Sequence, residues 1–252
     1  MRTARSLPLR SAALELPCDE ILEVLESARF GVQYEPIVEL SSGQTIAYEA
    51  LARFHAPDGS TLPPGMVFSQ LHAAPALLVE TELRMKRLQL DLSPAHTLFV
   101  NVDPDSFASS PAGGAELVSL LEGARCDVVV EAIENLDEAD AERGRAMVAA
   151  LRERGLPFGL DDVGASNGLI SFDMLAFADY LKFDRSLLRR PREARRLAVA
   201  QALVGMAERT GARTVLEGVE SEADLDLARD LGVDLVQGYL FRERFVRVPP
   251  RT

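Results

Sequence analysis

A chain of 252 residues holds one large domain or two small ones, and 47% hydrophobic against 26% charged residues excludes a disordered or fibrous protein. Its 39 acidic and 27 basic side chains leave a formal charge of −12, which argues against a broad phosphate-gripping face and therefore against a DNA partner. An anionic substrate stays compatible with that charge where metal ions lie between it and the acids. Cys18 and Cys126 are too few for a disulfide framework and too isolated for a zinc site, so they read as reduced thiols of a cytoplasmic protein. The basic start lacks an apolar stretch followed by a cleavage site, and no apolar run approaches the ~18 residues of a membrane span, so no membrane association is expected.

In chain order, residues 1–29 form an N-terminal extension that ends in a short helix over Asp19–Ala28, and residues 30–252 form the main domain. Two strands follow, Val32–Val38 and Ile46–Arg53. The four residues Ser41-Ser42-Gly43-Gln44 leave no room for a crossover helix, so the pair is an antiparallel hairpin. Leu78, Thr81, Met85, Leu88 and Leu92 recur at three- and four-residue steps and mark a helix face. Strands at Leu98–Asp103 and Asp127–Ile133 precede a helix carrying Met147 and Leu151, which closes at Gly155. Further strands span Phe158–Val163 and Tyr180–Asp184. A helix with Leu197, Ala200, Val204 and Ala207 ends near Gly211, a C-terminal cap. A strand at Arg213–Val219, a helix with Leu225, Ala228 and Leu231, and a strand at Leu235–Phe241 complete the chain. Eight strands alternating with helices over this length predict an α/β fold, a modified TIM-type β/α barrel with an antiparallel first strand pair; an open doubly wound sheet is the alternative.

Nearly every strand carries a polar residue close to its C-terminal end: Glu49, Asn101, Glu131, Asp161-Asp162, Lys182, Glu217 and Gln237. Any one of these reads as a satisfied core polar group or a solvated strand end. Seven strands in succession do not, because buried strands are otherwise apolar and an unpaired buried charge is costly. In a barrel these ends converge on one face. Glu49, Asn101, Glu131 and Asp161 offer only oxygen ligands, which suits a hard cation such as Mg²⁺ or Mn²⁺. Asp162 extends the set toward a second ion, as in two-metal phosphodiester chemistry. Lys182 reads equally as a salt-bridge partner and as a catalytic cation that orients water or stabilises a transition-state oxygen. Enolisation of a carboxylate substrate by acidic metal ligands and a lysine base also fits these residue types. His55, His72 and His96 have no partner at metal-ligand spacing.

The motifs Tyr48-Glu49-Ala50-Leu51-Ala52-Arg53-Phe54, Val100-Asn101-Val102, Val130-Glu131-Ala132-Ile133-Glu134, Leu160-Asp161-Asp162-Val163-Gly164, Leu181-Lys182-Phe183-Asp184, Glu217-Gly218-Val219-Glu220 and Gln237-Gly238-Tyr239 stand in this order along the chain. Together they resemble the EAL family of cyclic di-GMP phosphodiesterases from about Phe30 to Phe241. The resemblance implies hydrolysis of cyclic di-GMP to linear pGpG with two Mg²⁺ or Mn²⁺ ions. It implies metal binding by Glu49, Asn101, Glu131, Asp161, Asp162 and Glu217, with Glu49, Lys182 and Glu217 as the catalytic set and Lys182 beside the attacking water. It implies substrate contacts from Arg53, from Gln237 and from position 35, and bracing roles for Glu134 and Glu220. It also implies a homodimer with contacts near the loop after Asp162. With no sensory domain recognisable in the sequence, regulation is expected from a partner protein or from oligomerisation.

The sequence departs from the family pattern at named positions. Val163, Ala165 and Ser166 replace the usual Phe, Thr and Gly after the Asp pair, Ile133 replaces Thr, and Asp103 replaces Ser, placing a charge near the metals. Glu35 replaces Gln. The second reading built on these changes is an EAL-type receptor or protein-interaction module with little or no hydrolysis. An enolase-like enzyme accounts for the acids and the lysine but not for Glu217-Gly218-Val219-Glu220 or Gln237-Gly238-Tyr239.

Overall fold

The computed structural model describes residues 18–27, 29–133, 138–165, 171–189 and 194–250, and ten strands fall within them. They are β1 (Phe30–Glu39), β2 (Thr45–His55), β3 (Thr61–Leu62), β4 (Thr97–Asn101), β5 (Val128–Ile133), β6 (Phe158–Val163), β7 (Tyr180–Phe183), β8 (Arg213–Leu216), β9 (Leu235–Val236) and β10 (Val246–Val248). Eight of them close on themselves in the order β1-β9-β8-β7-β6-β5-β4-β2, with β2 pairing back to β1. The expected hairpin is present: β1 runs antiparallel to both β2 and β9, while the remaining neighbours are parallel. The open doubly wound sheet is thereby excluded, since that sheet would leave two edges.

Alternation of side chains along each strand divides the apolar residues into two cores. Outward-facing residues such as Tyr34, Val130, Leu160 and Leu216 pack beneath the surrounding helices. Inside the barrel, Ile37, Ala47, Phe99, Val129, Val215 and Leu235 form a separate cluster with Tyr180 packed against it. The Phe99 and Tyr180 rings meet edge-on at 4.8 Å although β4 and β7 are not neighbours, so the contact crosses the barrel interior.

The four long helical patterns appear as helices Pro75–Asp91, Glu138–Glu153, Ala194–Thr210 and Glu222–Leu231, and the N-terminal helix as Cys18–Glu26. Helix Pro75–Asp91 fixes the hairpin: Gln89 Nε2 donates to the Ala50 carbonyl at 2.8 Å, and Tyr34 donates its hydroxyl to the Gln89 carbonyl at 2.8 Å. No helix among the described residues is long and apolar enough to cross a membrane.

Three strands are shorter than their apolar runs predict. β4 stops at Asn101 because Asp103 becomes the N-cap of helix Pro104–Ser109, its Oδ1 accepting from the backbone of Asp105 and Ser106 at 2.8 and 3.1 Å. β8 stops at Leu216, just before the turn at Gly218, and β9 ends at Val236, with residues Tyr239–Arg244 forming a 3₁₀ helix. The short pairings β3 and β10 add strands that the hydrophobic pattern does not predict.

Candidate active site

On seven strands the interior apolar residue is followed, two positions nearer the mouth, by a polar one. The steps are Ala47 to Glu49, Phe99 to Asn101, Val129 to Glu131, Gly159 to Asp161, Tyr180 to Lys182, Val215 to Glu217 and Leu235 to Gln237. On β1, which runs the other way, the same step leads from Ile37 back to Glu35. Period-two geometry therefore brings the predicted strand-end residues into one ring at the mouth.

Lys182 is the centre of that ring and is fully buried. Its Nζ lies 3.3 Å from Glu49, 2.7 Å from Glu131, 3.1 Å from Asp161 and 2.7 Å from Glu217, so carboxylates from β2, β5, β6 and the end of β8 converge on one ammonium. Asn101 Nδ2 donates to Glu49 at 2.9 Å and to Glu131 at 3.4 Å. Gln237 Nε2 donates to the other Glu49 oxygen at 2.6 Å. A side chain on residue 238 would meet the Val219 backbone at 2.3 Å, so glycine there allows the chain after Gln237 to pass close enough to aim the amide inward.

The Asp161-Asp162 pair owes its geometry to a β-bulge. Leu160 pairs with Leu181 and Val163 with Phe183, so two aspartates oppose the single Lys182. Asp162 accordingly takes a left-handed φ of 55°, which aspartate tolerates better than most side chains. Both carboxylates then serve the mouth, where regular alternation would send one outward.

Four carboxylates against one ammonium leave excess negative charge in a buried space. Burial pushes Glu131 well above the usual carboxylate range despite Lys182, and burial with the Asp161 charge does the same to Glu217. Asp161 is raised by burial as well, while Asp162 is pushed up to about 6 by burial and by the Asp161 and Asp184 charges. Glu49 feels the same burial, but Lys182 and the Gln237 and Asn101 donors outweigh it and hold this carboxyl low. For Lys182 burial favours the neutral amine, yet the surrounding carboxylates overwhelm it and keep the ammonium charged.

Two overlapping carboxylate trios fit divalent cations. Glu49, Glu131 and Asp161 offer oxygens within 4.8 Å of one another, and so do Asp161, Asp162 and Glu217. Among the described residues the buried Gln237 Oε1 has no hydrogen-bond donor, which leaves a further buried oxygen on a side chain that is itself bonded to Glu49. An all-oxygen set with unbalanced negative charge suits a hard cation, and the shared Asp161 suits two.

The remaining predicted residues lie at the rim or beyond it. Glu35 is the direct cross-strand partner of Glu49; its Oε1 accepts from Gln33 at 2.8 Å and pairs with Arg53 at 3.5 Å. Burial raises the Glu35 carboxyl, with the Gln33 hydrogen bond acting against it. Glu220 is exposed, its backbone N–H donating to Asp224 at 2.9 Å. Glu134 and Ser166 fall outside the described residues. Asp103, expected to add charge near the metals, is committed to its helix cap and to His72 Nε2 at 2.7 Å. Sequence reasoning missed three participants. Asp184 raises Asp162; Gln33 continues the period-two row beyond Glu35; and Arg247 belongs to the unexpected β10.

The sequence matches the EAL domain family over residues 19–244. The chain belongs to the EAL family. Its similarity to the cyclic di-GMP phosphodiesterase RocR of Pseudomonas aeruginosa is 30% identity over 252 residues, covering 94% of this chain and 63% of RocR. With the cyclic di-GMP phosphodiesterase NbdA of the same organism, identity is 28% over 236 residues, covering 88% of this chain but 30% of NbdA. Against these relatives the EAL chain spans about a third to two thirds of the full length. A solved calcium and cyclic di-GMP complex of Klebsiella pneumoniae BlrP1 superimposes with a TM-score of 0.70 at 25% identity, covering 84% of this chain and 55% of that one. Such EAL neighbours share the barrel described above.

Proposed function

We propose that this chain hydrolyses cyclic di-GMP to linear pGpG at the barrel mouth and requires Mg²⁺ or Mn²⁺ to do so. The observation that carries this reading is the pair of oxygen-donor trios meeting at Asp161, with Lys182 as the single ammonium among them. The names of RocR and NbdA, and the calcium and cyclic di-GMP bound by BlrP1, support the substrate and the need for a divalent ion. In this reading Glu49, Asn101, Glu131 and Asp161 hold one ion, and Asp161, Asp162 and Glu217 hold a second. Bound there, the ions polarise phosphoryl oxygens and make a water more acidic.

The protein groups divide the remaining work. Lys182, whose three N–H groups its four carboxylates share, stands beside the attacking water and supplies the positive charge that favours the phosphoryl oxygen as it gains charge. Glu217, 2.7 Å from that ammonium and raised by burial, takes the water's proton as the new P–O bond forms; the P–O3′ bond breaks, and the departing 3′-oxygen takes a proton from solvent to become the 3′-hydroxyl of pGpG. Gln237 keeps Glu49 oriented, Arg53 takes a substrate phosphate, and Glu35 faces the nucleotide at the rim. Glu134 and Glu220 brace the loops that flank the ring. The reading includes a barrel unit over residues 30–252 behind an extension at 1–29, a cytoplasmic setting, and a homodimer or partner protein as the route of control.

The decisive experiment is incubation of the purified chain with cyclic di-GMP and Mn²⁺ or Mg²⁺, with Glu49→Ala as control. Linear product from the parent chain, reduced at least ~100-fold in the variant, is expected. Absence of product with either ion overturns the enzyme. A receptor is favoured by one observation, the engagement of Arg53 by Glu35. It predicts calorimetric binding of cyclic di-GMP without turnover.

A further inference from the structure

The upper halves of β1 and β2 and the short β10 build a polar row above the carboxylate ring. β1 pairs with β9 at Val38 and Glu39, but at Val32, Gln33 and Tyr34 its partner on that side is β10. This exchange depends on Gly31, where a side chain would stand 2.7 Å from the Val248 carbonyl oxygen. In the resulting register Arg247 opposes Gln33, and Gln33 opposes Leu51. Arg247, Gln33, Glu35 and Arg53 therefore share the face that leads into the mouth.

Their contacts are continuous. Arg247 Nε donates to Gln33 Oε1 at 3.2 Å, Gln33 Nε2 donates to Glu35 Oε1 at 2.8 Å, and Arg53 Nη2 reaches the same oxygen at 3.5 Å. Arg53 Nη1 is held on the Ala52 carbonyl at 2.9 Å. The terminal nitrogens of Arg247 have no hydrogen-bond partner among the described residues, and the side chain is exposed. Arg53 and Arg247 also feel one another: after burial and against the pull of Glu35 and Glu49, Arg247 is the charge that disfavours the Arg53 cation. Strand spacing puts the two backbones about 12 Å apart, within the combined reach of two arginine side chains.

We propose that Arg247 and Arg53 form a two-guanidinium site on the rim for the phosphate of a cyclic dinucleotide that is not being cleaved, with Glu35 as the internal anion that this phosphate displaces. The proposal rests on the reading of the mouth as a cyclic di-GMP site. Two guanidiniums match a phosphate by forked hydrogen bonds, and a carboxylate of the protein is the natural placeholder for that anion. Arg247 lies three residues beyond the segment that matches the EAL domain.

The test is calorimetric binding of cyclic di-GMP to the full chain with Ca²⁺, over a range of NaCl concentrations. Arg247→Gln keeps an amide that can donate to Gln33 but removes the charge. It is expected to raise Kd about tenfold and to flatten the salt dependence, with Arg247→Lys intermediate. Glu35→Gln, lacking the competing anion, is expected to lower Kd severalfold. Binding by Arg247→Gln equal to the parent chain at every salt overturns the rim site and leaves the proposed hydrolysis standing. A Glu35→Gln chain that binds no more tightly overturns the placeholder role. A parent chain that binds no cyclic di-GMP overturns both the rim site and the reading on which it rests.

Discussion

Inside the barrel, Ile37, Ala47, Phe99, Val129, Val215 and Leu235 occupy one tier, and two residues nearer the mouth the same strands present Glu35, Glu49, Asn101, Glu131, Glu217 and Gln237. The same backbone carries both tiers, although Glu35, Asn101 and Glu217 are only partly buried and Glu217 and Gln237 stand just past the ends of β8 and β9. The deeper tier is stabilised by removal of apolar surface from water, about 25 cal/mol per Å². The upper tier gains nothing of that kind and instead crowds carboxylates around Lys182, where burial raises Glu131, Asp161 and Glu217. A two-residue step thus separates a region that holds the barrel together from one that the barrel must hold together. That division is the expected signature of a site whose charges are balanced by something brought from outside.

The most severe way to break the comparison is Lys182→Met, which gives the upper tier the chemistry of the lower at nearly constant volume. Under the proposed mechanism turnover should fall by about 10²–10³-fold. The carboxylates would also lose their one buried cation, and breaking a buried pair of this kind costs about 3–5 kcal/mol. That loss should shrink as pH falls and the acids take up protons. Denaturant melts across pH 4–8 without metal provide the check; unchanged stability throughout would show that the ammonium is not what holds the ring.

The opposite move tests the deeper tier. Phe99→Ala removes a ring that is almost fully buried and packed edge-on against Tyr180, at a cost of about 3–5 kcal/mol. Phe99 also pairs with Glu49 across the β2–β4 junction, so partial collapse of the cavity would shift a proposed metal ligand. The two effects separate in metal titration: destabilisation with unchanged metal affinity confines the damage to the lower tier, whereas weakened affinity shows that the lower tier also sets the geometry above it.

Metal itself should narrow the difference between the tiers. At a hundredfold excess over its dissociation constant, Mn²⁺ or Mg²⁺ is expected to stabilise the folded chain by about 2.7 kcal/mol. The sign of the pH dependence should differ between the two states. In the stripped chain Asp162 is raised from 3.8 to about 6, so its share of stability is present below pH 4 and is lost as pH rises through 6. In the loaded chain ligation requires deprotonated carboxylates, so stabilisation by the ion should grow over the same interval. Thermal melts with EDTA and with Mn²⁺ at pH 4, 5, 6 and 7 measure both slopes; parallel slopes would argue against metal at these acids.

How much of this was legible in the sequence follows from the same two-residue step. The polar strand ends could be read because a single acid closing an apolar run is a local pattern, and period two alone brings Glu49, Glu131, Asp161 and Lys182 together. The hairpin was equally legible, since Ser41–Gln44 cannot hold a crossover helix. Other features depend on pairing that no local pattern records. The bulge that opposes both Asp161 and Asp162 to Lys182 arises from the register between β6 and β7. β10 has three residues before a Pro-Pro pair, and it forms because Gly31 lets it approach β1. Asp103 was legible as a charge beside Asn101 but not as a helix cap, because the cap requires the strand to end two residues earlier than its apolar run does.

The mildest perturbation concerns the one position where the lower tier has no side chain. Gly159 precedes Asp161 by the usual step, and its φ is not in the left-handed region, so no backbone conformation demands glycine there. A Cβ at this position would meet Glu131 Cγ at 3.4 Å, Val129 Cγ1 at 3.6 Å and Tyr180 Cβ at 3.7 Å, all ordinary contacts. Gly159→Ala should therefore fit, and by reducing the freedom of the unfolded chain it should stabilise by about 0.4–1 kcal/mol. Because the nearest atom belongs to Glu131, the substitution also measures how firmly that proposed ligand is held. Raised stability with unchanged metal affinity would mean that the tiers are mechanically independent at β6. Raised stability with weakened affinity would mean that a methyl group in the apolar tier is enough to displace a carboxylate in the polar one, and that glycine at 159 serves the mouth more than the core.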